Sequence, residues 1–571
     1  MKIITLLFSC CIALQCLAQT GSIVGTNKPV DPFHYSIVKT GNFANGTVAA
    51  AHPLASMVGV EILKQGGNAF DAAIATQLVL AVVYPNAGNI GGGGFLVARK
   101  TDSKNIAIDY REEAPGKAGR DMYLDKDGNA ITNLSLAGHL ASGVPGTVAG
   151  LFATHQYAKL PFKQLIQPAI DIAEFGFVLT ESQANGFNAN KEAFIKNSTQ
   201  TSAFIKETKW KAGDTLVQKD LAQTLKRIRD YGQKGFYEGK TAQLIVEEMN
   251  RGNGIITLDD LKNYKAKTRT ALQFKYKEYD IIGMPPPSSG GIIIWQMMKM
   301  IENKPIASYG LNSTKAVQLM VETERRAYAD RAEHLGDPDY YKVPLKTLSS
   351  DAYIQSRMKD YDSTKASISK NITAGIIKEH EETTHLSVMD KEGNMVSVTT
   401  TLNGGYGCKT VVGGAGFLLN NEMDDFSVKP GVPNMYLTIG GKANEIAPGK
   451  RMLSSMTPTL VLKNKQPYIV CGTPGGTTIP TSVYQILINM LEFNMSAADA
   501  INSPKFHHQW LPDVVRVEKD FDTTVRKELT AMGYNLTEAN GWCRLEVVRI
   551  NTNKQKEVAA DKRGDDSVAG Y

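Results

Sequence analysis

The chain has 571 residues, 42% of them hydrophobic and 21% charged, and a formal net charge of +6. That composition is globular and excludes a disordered or collagen-like chain. A surplus of six charges spread over this length gives no clustered basic face and so no expectation of nucleic acid.

Met1-Lys2 is a short basic start, Ile3 to Leu17 is mostly apolar, and Cys16-Leu17-Ala18 offers small residues ahead of a cut. This reads as a secretory signal peptide spanning 1–18, removed before Gln19. Export is therefore expected, with the periplasm as destination and secretion or membrane tethering as alternatives. Of six cysteines, three fall in this segment. The remaining Cys408, Cys471 and Cys543 form no disulfide framework and show no zinc spacing. The run Ala72 to Val83 is too short to span a bilayer.

Residues 53–84 read as two helices, the first opened by Pro53 and ended by Gly66-Gly67, the second starting near Asn68 and Asp71 and apolar on most sides. The glycine run Asn89 to Phe95 leads into a short strand, Leu96-Val97-Ala98. It lacks the spacing of a P-loop or dinucleotide fingerprint, so close backbone packing is expected and no cofactor is implied. Residues 140–270 are mainly helical in pattern. A strand at Tyr279 to Ile282 passes through Pro285 to Gly291 into an apolar helix, and 313–333 and 345–370 again read as helical. Beyond Glu382 the texture turns to strand. His385 to Met389 and Met395 to Thr401 alternate about a turn at Asp390 to Asn394, a strong hairpin signal. Strands at Thr459 to Leu462 and Tyr468 to Val470 and a helix from about Ser482 to Leu491 follow, which suggests stacked layers of helix and sheet.

Centring the hairpin between Glu392 and Gly393 puts Thr383 opposite Leu402, with Thr401 and Asn403 as near neighbours on its own face. A threonine hydroxyl needs an adjacent base to act as a nucleophile. If the chain were cut before Thr383, the new α-amino group, with a reference pKa of roughly 7.7–8.0, would supply one. Thr401 could then orient the Thr383 hydroxyl. Ordinary β-propensity of threonine is the competing explanation. Gly475-Gly476, in a strand-to-helix turn, can direct backbone N–H groups at an anion, as an oxyanion hole does. Arg111 suits a carboxylate, and Glu422 with Asp425 suits an ammonium, although ordinary ion pairs would use the same residues. Ser367-x-x-Lys370 matches a serine acyl-enzyme motif without its companion elements. His507-His508 lacks a third metal ligand, and His52 and His385 read as structural.

Taken together, Asp109-Tyr-Arg-Glu112, Ser142-Gly-Val-Pro-Gly-Thr147, Pro286-Pro-Ser-Ser-Gly-Gly291, Thr383-Thr-His-Leu-Ser-Val388, Thr401-Leu-Asn403, Asn420-Asn-Glu-Met-Asp-Asp-Phe426, Lys450-Arg-Met-Leu-Ser-Ser-Met456, Thr473-Pro-Gly-Gly476, Phe506-His-His-Gln-Trp510 and Ala569-Gly-Tyr571 resemble, in order and spacing, the γ-glutamyltranspeptidases. These are N-terminal nucleophile hydrolases. The resemblance implies an α/β fold, a four-layer αββα sandwich. It implies a precursor that cuts itself between Glu382 and Thr383 into a large subunit, 19–382, and a small one, 383–571, which stay associated. It implies cleavage of the γ-glutamyl amide of glutathione and related compounds through a γ-glutamyl ester on Thr383, passed to water or to amino acid or dipeptide acceptors. Carried over by position, Thr383 is the nucleophile, Thr401 its partner, and Gly475 and Gly476 the oxyanion hole. Arg111, Ser454 and Ser455 hold the α-carboxylate, and Asn403, Glu422 and Asp425 surround the α-amino end. The segment Pro430 to Lys450, with Tyr436, resembles a lid over the glutamyl pocket. No cofactor, metal or nucleic acid enters the scheme.

Two other readings remain open at this level. One is an acylase for glutaryl-type amides such as cephalosporin derivatives, whose substrates lack the α-amino group. The other is an exported protein that binds glutamate or γ-glutamyl compounds without turnover.

Overall fold

The computed structural model describes residues 22–372, 383–429 and 441–571. Helix Ala69–Val83 shows how local sequence starts the architecture. The Asn68 side chain accepts from the N–H groups of Phe70 and Asp71, and Asp71 reaches back to the N–H of Asn68, a reciprocal cap. All fifteen residues of this helix are buried, as a helix without a polar face requires. It packs between Pro53–Lys64 and Phe162–Phe175.

Two seven-stranded antiparallel sheets form the centre. One runs in spatial order Thr40–Phe43, Lys556–Ala560, Glu546–Ile550, Gln466–Gly472, Thr459–Lys463, Tyr279–Gly283 and Leu272–Tyr276. The other runs Ser567–Gly570, Thr47–Ala50, Thr384–Met389, Met395–Thr401, Gly93–Arg99, Asn105–Tyr110 and Lys267–Arg269. Strand alternation divides the hairpin at the heart of the second sheet. Leu386, Val388, Val396 and Val398 join the core shared with the N-terminal helices, while Met389 and Met395 join the core between the sheets. On that inner face Ser387 and Ser397 donate across the sheets to the carbonyls of Glu546 and Cys471, both at 3.0 Å. Helices Gly290–Ile301, Thr314–His334 and Thr478–Leu491 cover the far side of the first sheet. This is the αββα sandwich expected from the sequence.

Two expectations need correction. Met389 faces Met395 and Thr384 faces Thr400, so the loop centres on Glu392 and the hairpin is one residue out from the predicted register. Asp390 fixes the odd loop length by accepting both the N–H and the side-chain amide of Asn394, at 2.9 and 2.7 Å, with Gly393 at φ +91°. Continued by one step, Thr383 stands opposite Thr401 and not Leu402. The stretch 345–370 is not one helical region but two short helices, Leu345–Leu348 and Asp351–Ser356, followed by turns. Its backbone is drawn instead to two buried arginines of the neighbouring helix: Arg326 donates to the carbonyl of Arg357 at 2.6 Å and pairs with Asp360 at 2.8 Å, and Arg325 donates to Ser369.

Candidate active site

The site grows from the first residue of the hairpin. Thr383 is 4% exposed. Its hydroxyl oxygen lies 3.4 Å from that of Thr401, a loose approach of the kind that often tightens only with substrate. The N–H of Asn403 donates to the Thr401 hydroxyl oxygen at 2.7 Å. Asn403 makes the turn at φ +74°, and its side-chain amide donates to the carbonyl of Asn421 at 3.0 Å, which ties the strand end to the segment carrying Glu422 and Asp425.

The glycine run behind this strand is a packing device, as its sequence suggested. A Cβ on Gly92 would fall 2.1 Å from the carbonyl oxygen of Thr401, and one on Gly91 as close to that of Leu418. Asn89 completes the brace by donating to the Thr401 carbonyl at 2.9 Å while accepting from Gly92 N–H and the Thr147 hydroxyl.

Facing Thr383 from the other sheet is the turn between strand Gln466–Gly472 and helix Thr478–Leu491. Gly475 and Gly476 have φ of +135° and +48°, backbone that a side chain would strain. Successive amides in such a turn form a concavity suited to an anion. The two glycines flank the threonine: Gly476 lines an inner pocket and Gly475 an outer cavity, and Thr383 belongs to both.

The inner pocket brings together the charges singled out in the sequence. Thr383, Thr401, Asn403, Arg111, Glu422, Asp425, Ser454, Ser455 and Gly476 all line it. Arg111, 1% exposed, contacts Glu422 at 2.5 Å, also pairs with Asp425, and donates to the Met452 carbonyl at 3.3 Å. Burial pushes the carboxyls of Glu422 and Asp425 up, against the pull of Arg111, and pushes Glu112 beside them up to about 7. Three acids thus crowd one guanidinium, which stays charged because their fields outweigh its own desolvation. Among the described residues, neither oxygen of Glu422 makes a well-directed hydrogen bond. A buried carboxylate with spare acceptor capacity is an energetic cost that an ammonium ligand would offset.

The pocket's walls come from motifs whose role the sequence did not reveal. Ser289 donates its N–H and hydroxyl to the Ser454 carbonyl at 2.7 and 2.8 Å, and Ser288 donates to that of Met456, so the Pro286–Gly291 turn holds the two serines in place. Gly290 is needed there, because a Cβ would meet Thr457 at 2.1 Å. Arg451, fully buried, pairs with Asp109 at 2.5 Å and Glu113 at 2.9 Å and so anchors the strand end that presents Arg111. A second cation in the pocket, Arg331, was not foreseen. It donates to the hydroxyls of Ser289 and Ser455, each at 3.1 Å. It sits on helix Thr314–His334, many of whose charged residues are buried.

The remaining candidates fall elsewhere. His385 bonds Thr399 and Ser387, and burial lowers it to about 3. His507 meets Thr481 at 2.8 Å, and His508 meets Asp513 at 3.3 Å. Ser367 of the serine motif accepts from Arg326 at 3.2 Å and donates its N–H to Glu322. Glu382, which precedes Thr383 at the predicted cleavage junction, and Tyr436 of the predicted lid lie outside the described residues.

Comparison with known proteins agrees with this geometry. Residues 55–571 match the family described as Gamma-glutamyltranspeptidase. A glutathione hydrolase proenzyme of Escherichia coli K12 is 45% identical over 532 residues, 92% of each chain. An acylase proenzyme of a Pseudomonas species is 35% identical over 88% of this chain and 89% of its own. A crystal structure of a cephalosporin acylase from Bacillus halodurans shares the fold, with a TM-score of 0.83 at 24% identity over 94% of this chain and 98% of that one. A self-braced threonine, a double-glycine turn and a pocket of mixed charge thus sit on a sequence match that spans almost the whole chain, and the protein belongs to the γ-glutamyltranspeptidase family.

Proposed function

We propose that this protein is a self-processing γ-glutamyl hydrolase and transferase acting on glutathione and related γ-glutamyl compounds, with Thr383 as its N-terminal nucleophile. In the precursor the Thr383 hydroxyl attacks the carbonyl of Glu382. The amide becomes an ester, water hydrolyses it, and Thr383 gains a free α-amino group. The products are the segments 19–382 and 383–571, which stay together because each contributes strands to both sheets.

In turnover that amino group takes the hydroxyl proton as Thr383 attacks the γ-carbonyl carbon. The oxyanion develops toward the Gly475-Gly476 turn, where preorganised N–H groups stabilise it. The leaving amine receives the proton, a γ-glutamyl ester remains on Thr383, and water or the amine of an amino acid or dipeptide takes the acyl group. Arg111, Ser454 and Ser455 receive the substrate α-carboxylate, and Glu422, Asp425 and Asn403 its ammonium. Binding exchanges one set of ion pairs for another: Arg111 passes from its internal acids to the substrate carboxylate, and those acids pass to the substrate ammonium. The relative in Escherichia coli, named a glutathione hydrolase proenzyme, supports the substrate class. The sequence signal supports export, and among the described residues no helix is long and apolar enough to cross a membrane.

The observation that carries this reading is the pairing of Arg111 with two acids in one pocket beside Thr383. A glutaryl substrate would match the arginine and leave Glu422 and Asp425 without their cation. The test is kcat/KM for γ-glutamyl against glutaryl 4-nitroanilide. A preference for the γ-glutamyl compound of about a hundredfold or more is expected, from the loss of charged hydrogen bonds. Equal rates or a glutaryl preference point to the acylase, and binding without turnover of either points to the inactive binder.

A further inference from the structure

The motif Phe506-His-His-Gln-Trp510 has no part in the chemistry above, yet all five of its residues are buried. Its backbone is held from several sides. Phe506 exchanges bonds with the Gln485 side-chain amide, at 2.6 and 3.2 Å. His508 donates its N–H to Glu324 at 2.8 Å, and Trp510 donates its own to His508 Nδ1 at 2.9 Å. From this fixed base Gln509 reaches the turn that carries Gly475 and Gly476. Its Oε1 accepts from the Thr477 hydroxyl at 2.8 Å and from His507 Nε2 at 2.9 Å. Burial pushes His507 well below the usual histidine range, so the ring is neutral and has one N–H. That N–H goes to Gln509, and Nδ1 meets the Thr481 hydroxyl at 2.8 Å.

Thr477 follows the two glycines directly and lines the inner pocket with Gly476 and Thr383. The glycines, at φ +135° and +48°, have no side chains to fix them, and glycine has more backbone freedom than any other residue. Bonds inside the turn take its carbonyls: Thr478 N–H donates to that of Gly475 at 2.9 Å, and Ile479 N–H to that of Gly476 at 3.2 Å. From outside, Thr477 is pinned at both ends. Gln509 takes its hydroxyl, and the Tyr328 hydroxyl donates to its carbonyl.

We propose that Gln509 is a positioning residue for the reaction: through Thr477 it sets the direction of the Gly475 and Gly476 N–H groups toward the developing oxyanion, and His507 fixes Gln509 in turn. The inference rests on the γ-glutamyl reading above and deepens it. Gln509 lines neither the inner pocket nor the outer cavity, so its effect falls on the transition state and not on substrate binding.

The test compares Gln509→Met, which keeps the length and loses the acceptor, with Gln509→Glu, which keeps an acceptor oxygen, in the mature two-chain enzyme. For Gln509→Met, kcat on γ-glutamyl 4-nitroanilide should fall by about ten- to a hundredfold, less than for loss of an oxyanion donor itself, with KM within about twofold. Gln509→Glu should recover most of that loss. A glutamate analogue with a boronic acid in place of the γ-carboxyl separates positioning from packing. The Thr383 oxygen adds to boron and its proton passes to the α-amino group, so the adduct carries a tetrahedral negative charge at the turn. In Gln509→Met the inhibition constant of the boronic acid should rise by the factor that kcat loses, while that of glutamate stays within about twofold. Thr477→Val should repeat the kcat loss, and the double variant should lose no more than either alone. Should Gln509→Met fail to mature, Thr477→Val carries the comparison from the other end of the bond, with Thr477→Ser as its rescue. Unchanged kcat in Gln509→Met, or constants for boronic acid and glutamate that rise together, overturns the proposal. Wild type that cleaves no γ-glutamyl anilide overturns the γ-glutamyl reading instead.

Discussion

On the inner side of Thr383 lies a pocket where Arg111 and Arg331 share space with Glu422 and Asp425; on the outer side three arginines line a larger cavity without an acid among the described residues. The difference sets two unlike electrostatic surroundings on the two sides of one threonine. Mixed charge matches a zwitterion, as the proposed γ-glutamyl substrate is. Charge of a single sign has no such match. Gly476 lines the one and Gly475 the other, so the turn proposed to hold the oxyanion stands at the border between the two.

Breaking the inner pocket should cost most. Arg111→Ala removes the cation that holds Glu422 and Asp425 and leaves buried carboxylates uncompensated, so about 3–5 kcal/mol of stability should be lost, visible as a lower midpoint in denaturant. Turnover should fall by more than about a thousandfold with it, since the substrate carboxylate loses its bidentate partner as well. Asp425→Asn is milder and sharper. It spares the arginine and weakens the ammonium subsite, so the γ-glutamyl over glutaryl preference should drop by roughly ten- to a hundredfold. An unchanged preference would mean that this side of the pocket does not read the α-amino group. Thr401→Val should lower kcat about tenfold and leave KM nearly constant, because it deletes one hydrogen bond to the nucleophile and no contact to the substrate.

The smallest effect is a pH dependence that only the inner pocket should show. Burial raises the carboxyls of Glu422, Asp425 and Glu112, the last to about 7. Such groups hold their protons to higher pH in the folded protein than in the unfolded chain, so their contribution to stability is lost as pH rises. The ammonium subsite gains charge over the same interval. KM for γ-glutamyl anilide should therefore fall as pH rises, and KM for a glutaryl anilide should not. Added glutamate should raise the melting temperature more at pH 8 than at pH 5.

What the sequence made legible follows from distance along the chain. The pairing of Thr383 with Thr401 needs only a hairpin and its turn, and the error of one residue came from loop parity, which Asp390 settles through its bonds to Asn394. The Gly475-Gly476 turn and the capped helix at Asn68 are equally local. Arg331 was out of reach because its meaning lies in two serines, one 42 residues before it and the other 124 after, and nothing in a helical pattern points to them. The turns after Ser356 escaped for the same reason: Arg325 and Arg326, distant in sequence, hold that backbone. Arg111, Glu422 and Asp425 were visible as charges, but that three acids would meet one guanidinium needed the fold. The cationic outer cavity was not visible at all, since its arginines are spread over the last 60 residues and gain a common sense only when they converge on Thr383.

The most direct test of the account is N-terminal sequencing with intact mass of the purified protein beside Thr383→Ala. Wild type should separate into two chains, the smaller beginning Thr383-Thr384-His385, and the variant should remain one uncut chain with no turnover. A wild-type protein that stays whole yet turns over γ-glutamyl compounds, or a variant that still cuts at this bond, would contradict the assignment of Thr383 as the nucleophile.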